Sequence, residues 1–542
     1  MLALVLLVRF NLARPRRVHV RMRSWPHLVV LLLWLSSGCG GDGGAGAAAD
    51  ANPSCGADVT PAPGLVVTTS GAVQGVSDGA TWTYKGIPYA APPRGALRLA
   101  APAPPVCTPG VRDGSSFGAV CPQLDDAGQL IGDEDCLSLN VWAPSAAGAP
   151  RPVMVWIHGG ANVSGASSSP LYDGRRLAEA GDVVVVTINY RLGQLGFLAH
   201  AGLSATSATH VSGNYGILDQ IAALAWVRDN AASFGGDAAR VTIFGESAGA
   251  RDVCVLLAAA PAAGLFQGAI MESGGCGALD TLADSEAFGT QVAQAAGCGS
   301  AADVVACLRE LPVATLVKAL AAPASVLDDS PYQPNRDGVV LAEQPFDAIA
   351  AGRHHHVPIL LGANADETGR QAPMIQNDAQ YQALVQSQFG PFAPSVLAQY
   401  PSSSFPTPRK AYVALTSDSR FICPSRRVAR AAAAAQSEPV YRYFFTRAAS
   451  QFGAVHGLEI PYLFGTFAAI PYTPVASDLV VSTAMQGAWT GFARSGDPNR
   501  AAVTWPRYLS DGSDHALVLD DPVSSVDGVL TDRCDFWDGL LP

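Results

Sequence analysis

Positive charge is in short supply in this chain. Its 34 Lys and Arg stand against 45 Asp and Glu, a formal net charge of -11. That balance argues against a nucleic-acid partner. Charge of either sign is sparse, at 15%, beside 49% hydrophobic residues. Such a chain can bury a large core and is not of the disordered class. Cys-x-x-Cys and Cys/His zinc spacings are missing, so no metal or cofactor is expected. Internal repeats are missing too, which excludes a solenoid or propeller. After residue 55 no Pro/Ser-rich linker divides the chain. Length alone suggests several domains, but α/β folds can run long as one unit.

The N-terminus reads as a leader. Arg14, Arg16, Arg17, Arg21 and Arg23 precede the apolar run 28–35, and Ser36-Ser37-Gly38-Cys39 follows. The run is too short for a membrane-spanning helix. Basic region, short apolar core and small residues make a secretory signal over 1–38, with Met22 as an alternative start. Cys39 after Ser-Ser-Gly resembles a bacterial lipobox, with Ser36 where Leu is expected. Two outcomes stay open: lipidation at Cys39, or plain cleavage nearby and release. Residues 39–60 read as a tether, Gly/Ala-rich over 40–50. The expected location is therefore outside the cytoplasm, with membrane contact only through a lipid at Cys39.

The chain has 11 cysteines. Without Cys39 an even ten remain, which suits an oxidising compartment. Spacing suggests Cys121 with Cys136 and Cys298 with Cys307, each closing a short loop.

Strand patterns fall at 65–69, 72–76 and 81–84, then at 153–157, 183–189, 241–244, 268–272, 359–362, 440–445 and 516–519. Residues 217–232 carry a helical pattern, and the Ala-rich stretch 431–435 reads as plain helix. Continuous apolar strands alternating with helices predict an α/β fold with a buried, mostly parallel sheet. Residues 61–542 read as one domain. The segments 282–330 and 372–408 read as helical insertions at the mouth of its site.

The run Val241-Thr242-Ile243-Phe244-Gly245-Glu246-Ser247-Ala248-Gly249 leads from a strand pattern through Gly-x-Ser-x-Gly into a small-residue helix. That is the layout of a nucleophile elbow. Residues 75–79 and 114–118 also fit Gly-x-Ser-x-Gly, but neither lies between a strand and a helix pattern. A serine needs a base, and the base an orienting acid. In α/β-hydrolases the order is Ser, acid, His, each beyond a strand. Downstream, 359–362 leads to Asp366-Glu367, and 440–445 leads to His456, one of only ten histidines. His158-Gly159-Gly160-Ala161 follows the strand pattern 153–157. Its small residues let a carbonyl oxygen reach backbone N–H donors, and the N–H of Ala248 adds another. His158 is read as packing rather than catalysis.

From about residue 66 to the C-terminus the chain resembles the type-B carboxylesterases, the carboxylesterase/cholinesterase group of α/β-hydrolases. Motifs in family order carry the resemblance. They are Lys85-Gly86-Ile87-Pro88-Tyr89-Ala90, Glu134-Asp135-Cys136-Leu137-Ser138-Leu139-Asn140-Val141-Trp142, the 158–161 loop, Asn189-Tyr190-Arg191-Leu192-Gly193, Gly213-Asn214-Tyr215-Gly216, Phe234-Gly235-Gly236-Asp237 and the elbow.

The resemblance implies an ester hydrolase of the α/β-hydrolase fold acting on small-molecule esters. It implies Ser247 as nucleophile, Glu367 rather than Asp366 as acid, and His456 as base. Gly160, Ala161 and Ala248 are the implied oxyanion donors. Glu459, and Glu246 beside the serine, are implied supports. Ala161 stands where Gly is common and tightens that corner; Thr368 departs from the usual Gly after the acid. The resemblance also implies the disulfides Cys121–Cys136, Cys298–Cys307 and Cys423–Cys534. The other four cysteines are expected to pair as Cys55–Cys107 and Cys254–Cys276. Structural ion pairs are implied for Arg98–Glu134 and Arg191–Asp219. Cholinesterases carry a choline-binding Trp in the loop between the first two of these cysteines. Residues 122–133 hold no aromatic, so a dedicated choline ester is not expected.

A lipase-like or cholinesterase-like specialist on the same residues is one alternative; a non-catalytic binding module on this fold is another. The three histidines at 354–356 are read as structural, and the sequon Asn162-Val163-Ser164 is discounted because it abuts the oxyanion loop.

Overall fold

The computed structural model describes residues 59–449, 451–499 and 504–540. The leader, Cys39, Cys55 and nearly all of the tether lie outside these residues.

Eleven strands form the main sheet. In chain order they are β1 (Val76–Ser77), β2 (Thr81–Pro88), β3 (Ser138–Pro144), β4 (Arg151–Ile157), β5 (Val184–Ile188), β6 (Gly236–Glu246), β7 (Gly268–Glu272), β8 (Ile359–Asn364), β9 (Val440–Phe445), β10 (Ala516–Leu519) and β11 (Ser524–Val526). Across the sheet the order is β11-β10-β9-β8-β7-β6-β4-β5-β3-β2-β1. All pairings from β5 through β10 are parallel. The strands at both edges are antiparallel. The predicted α/β fold with a large, mostly parallel sheet is therefore the observed one.

Alternation along each strand builds two cores. On β4, Val153, Val155 and Ile157 face one core, shared with Ile217, Leu224 and Val227 of the helix Tyr215–Asn230. Met154 and Trp156 face the other, shared with Leu177, Met485 and Trp489. Both faces are covered, so the strands read as unbroken apolar runs. Each large side chain fully buried here contributes roughly 1.5–3 kcal/mol.

The strand β3 was not among the sequence patterns. Its run Ser-Leu-Asn-Val-Trp-Ala-Pro carries Asn140, which is buried. The neighbours satisfy that amide: Gly86 N donates to Oδ1 at 3.0 Å, and Nδ2 donates to Thr187 Oγ1 at 3.0 Å and Ser167 Oγ at 3.1 Å. A polar residue can thus sit within a buried strand, because its partners come from elsewhere in the chain.

One insertion differs from expectation. The 372–408 segment does not line the site. Its helices Asp378–Phe389 and Ala393–Gln399 bury Tyr381, Val385 and Val396 in a third core with Trp537 and the Cys423–Cys534 bridge. Their apolar faces are consumed there. The 282–330 segment reaches the site only through its tail, residues 325–330.

Among the described residues the bridges Cys121–Cys136, Cys254–Cys276, Cys298–Cys307 and Cys423–Cys534 are formed. Cys107 is disulfide-bonded as well. Both implied ion pairs are present. Arg98 Nε and Nη2 each donate to Glu134 at 2.6 Å, and Arg191 Nε and Nη2 each donate to Asp219 at 2.7 Å. Among the described residues no helix is long and apolar enough to cross a membrane.

Candidate active site

Strand order reverses at β4, which lies between β5 and β6. In open α/β sheets ligands bind beyond the strand ends at such a switch point. The loop after β4 carries residues 158–161, and the end of β6 carries Ser247. Gly245 is in register with Ile157, so both loops leave the sheet side by side.

Ser247 sits at φ 58 and ψ -121, outside the regions open to most residues. The helix Ala248–Ala258 starts immediately after it, and the Ser247 N–H donates to Glu272 O at 2.9 Å. Gly249 permits the sharp turn: a Cβ there would lie 2.0 Å from Ile157 O. A side chain would push the helix off β4 and drag the serine with it.

Glu367 and His456 come from loops beyond β8 and β9. Backbone bonds join these loops: His456 N donates to Glu367 O and Asp366 N to Ala454 O. His456 Nδ1 lies 2.6 Å from Glu367 Oε2, while Asn364 N donates to Glu367 Oε1 at 2.7 Å. Asp366 instead meets Lys410 Nζ at 2.9 Å. Thr368 is buried and shares a hydrogen bond with Thr416 at 2.6 Å.

His456 Nε2 is not hydrogen-bonded to Ser247. It lies 3.2 Å from Glu246 Oε1, an ion-pair distance, but off the axis of a proper hydrogen bond. Burial pushes this imidazole down, yet the carboxylates of Glu246 and Glu367 outweigh burial and bring it up to about 9. Burial, together with neighbouring carboxylates, raises both Glu246 and Glu459 above the usual carboxyl range. Glu459 accepts from Ser273 Oγ at 2.9 Å and from the Asn364 amide. Beneath them Glu272, pushed well up by burial, accepts from Trp489 Nε1 at 2.8 Å.

The loop after β4 is held in a left-handed course, with φ of 112 at Gly160, 55 at Ala161 and 60 at Asn162. A Cβ on Gly160 would sit 2.2 Å from Ser164 O. His158 is buried, stacks on Tyr190 at 4.5 Å and is pushed down to about 4, chiefly by burial. It is a neutral packing residue. The Asn162 amide is buried between Tyr190 OH at 3.2 Å and Asp252 Oδ1 at 3.3 Å, which leaves it no access for a glycan. Each histidine of 354–356 has a protein partner: Gln436, Ala259 O and Gly352 O respectively.

Ser247, Ala161 and Ala248 open into one pocket, a space of about 680 Å³ counting its open mouth. Among the lining residues not foreseen from the sequence are Arg251, Asp252, Arg420 and Phe421. Two had a local signal, since Arg251 and Asp252 are charges set in a small and apolar helix one turn past the serine. Arg420 and Phe421 had none. They come from a π-helical turn, Asp418–Ile422, and Phe421 packs on His456 at 4.9 Å.

The sequence profile described as "Carboxylesterase family" matches residues 62–537. The chain belongs to the carboxylesterase family. As a member it is a carboxylic ester hydrolase. It is 40% identical to fumonisin B1 esterase from Sphingopyxis macrogoltabida, over 82% of this chain and 84% of that one. It is 37% identical to para-nitrobenzyl esterase from Bacillus subtilis, over 85% and 95%. A solved PNB esterase structure superposes with a TM-score of 0.78 at 34% identity, covering 88% of this chain and 99% of that chain. The family's fold and the fold described above are the same.

Proposed function

We propose that this carboxylesterase is an exported serine hydrolase working through an acyl-enzyme. The observation that carries the reading is the 2.6 Å Glu367–His456 bond in the same site as a serine on a strained strand-to-helix turn. Ser247 Oγ attacks the ester carbonyl and gives its proton to His456 Nε2. For this the imidazole leaves Glu246 and turns Nε2 toward Ser247. Glu367 fixes the tautomer and stabilises the imidazolium. The N–H groups of Gly160, Ala161 and Ala248 receive the oxyanion, each worth roughly 3 kcal/mol in the transition state. His456 then protonates the leaving alcohol. Water, deprotonated by His456, releases the acid and restores Ser247.

The names of the relatives include fumonisin B1 and para-nitrobenzyl substrates, and the shared class is the ester. The residues of the 122–133 loop contain no aromatic, which disfavours a dedicated choline ester. Export rests on the leader and on bridges suited to an oxidising compartment. Lipidation at Cys39 is the reading of its Ser-Ser-Gly context.

A fluorophosphonate should label Ser247 alone, and Ser247→Ala should lose on the order of 10⁴-fold or more in kcat while staying folded. Labelling of another serine, or an active Ser247→Ala, overturns the mechanism. Mass spectrometry of the mature N-terminus tests the leader; an unmodified start beyond Cys39 removes the lipid.

A further inference from the structure

Two guanidiniums share the pocket with the nucleophile. Arg251 lies one helical turn past Ser247, its N–H donating to Ser247 O at 3.1 Å. Arg420 lies on the π-helical turn beside Phe421. Both converge on a single oxygen: Asp329 Oδ1 accepts from Arg251 Nη1 at 3.2 Å and from Arg420 Nη2 at 2.9 Å. Arg420 Nε is held by Val326 O at 2.9 Å. Arg251 Nε and Nη2 and Arg420 Nη1 make no hydrogen bond among the described residues.

The two sides of this contact are unequal. The guanidiniums are carried by helical elements that also carry Ser247 and the ring packed on His456. Their side chains are only 32% and 18% exposed. Asp329 belongs to the irregular stretch after the helix Val313–Lys318, and its side chain is 61% exposed. The two carboxylates that do line the pocket, Asp252 and Asp328, do not compete for this position. Asp328 is exposed and accepts from Ser325 Oγ, and Asp252 is taken by Asn162 and Gln220. A carboxylate already sits between the two arginines, supplied by an exposed side chain on an irregular stretch.

We infer that Arg251 and Arg420 form a carboxylate subsite, so that the preferred substrates are esters carrying a free carboxylate, whose anion takes the place of Asp329. This rests on the serine-hydrolase reading of the same pocket. Arg is the side chain suited to such recognition, because its planar N–H fork matches a carboxylate.

The test compares mono-4-nitrophenyl adipate with 4-nitrophenyl hexanoate, which probes a carboxylate on the acyl side. Phenyl acetate with and without a meta-carboxylate probes the alcohol side. At low ionic strength the anionic ester of at least one pair should have kcat/KM higher by about tenfold or more, the size of one charged hydrogen bond. Added salt should shrink that ratio. Arg251→Gln and Arg420→Gln should each cut the ratio about tenfold, mainly through KM, and the Lys variants should restore part of it. Asp329→Asn, on an exposed stretch, should raise the ratio by freeing the guanidiniums. A purely structural role would not give that opposite sign.

Neutral esters preferred in both pairs, or ratios unmoved by the Gln and Asn variants, overturn the inference. If that happens while Ser247 is still labelled and the hexanoate ester still cleaved, only the subsite is lost. If neither ester is cleaved and Ser247 is unlabelled, the hydrolase mechanism falls and the subsite with it.

Discussion

His456 Nε2 lies 3.2 Å from Glu246 Oε1, on the side of the ring away from Glu367. One imidazole is therefore flanked by two carboxylates. In the resting enzyme this arrangement favours the imidazolium, the species that the proposed mechanism also requires when Ser247 loses its proton.

The pH profile should show it. In the proposed mechanism the free enzyme must release the His456 proton before attack, so kcat/KM for a neutral ester should rise with pH to a plateau above about 9. Glu246→Gln removes the strongest charge raising the ring and should move the limb down by about one pH unit or more. Stability has the opposite sign. The folded-state value lies above the unfolded value of about 6.5, so the imidazolium's contribution is present below about 6.5 and is lost as pH rises through about 9. The stability difference between wild type and Glu246→Gln, read by urea titration, should fade as pH rises through about 9. An unmoved kinetic limb refutes the account.

Glu367→Gln keeps the shape of the acid but cannot hold an imidazolium. We expect kcat to fall roughly 10³- to 10⁴-fold with the melting temperature little changed. Near-normal kcat would remove Glu367 from the mechanism.

Gly160→Ala brings a Cβ to 2.2 Å from Ser164 O, at a φ of 112. The loop must shift, so one proposed oxyanion donor is displaced. Pre-steady-state kinetics should show acylation slowed by about 10²-fold or more. Unchanged acylation would mean that this N–H takes no part.

The Cys254–Cys276 bridge joins the helix after Ser247 to the segment after β7, and both cysteines line the pocket. The chain-entropy model assigns a closed loop of this length about 3 kcal/mol. The double Ala variant should lose about that much in denaturant titrations and change its acyl-length preference. A variant with unchanged preference would show that the wall is set by other residues.

Arg191→Ala leaves Asp219 buried without the guanidinium that donates two bonds to it, and keeps only the bond from the backbone N–H of residue 191. About 3–5 kcal/mol should be lost by chemical denaturation. A loss below about 1 kcal/mol would mean that water replaces the arginine.

The core strands were legible because a sheet covered on both faces leaves unbroken apolar runs between turns, as at 153–157 and 359–362. Strand β3 was not legible. Asn140 interrupts its pattern, and the groups that satisfy Asn140 lie far along the chain. The 372–408 insertion was misjudged for a related reason. Helical content is local, but the surface a helix covers is settled by partners such as Trp537.

The candidate site divides along the same line. Gly245, Ser247 and Gly249 are legible because a strained turn demands those residues within five positions. Glu367 and His456 are legible as polar loops beyond strand patterns. Sequence by itself determined which residue types stand at these loops and in what order. The tertiary structure alone decided that His456 rests against Glu246 rather than Ser247, and that Arg420, Phe421 and Arg251 meet in one pocket. Those relations arise when the sheet brings strand ends together across hundreds of residues, and no local pattern encodes the resulting distances.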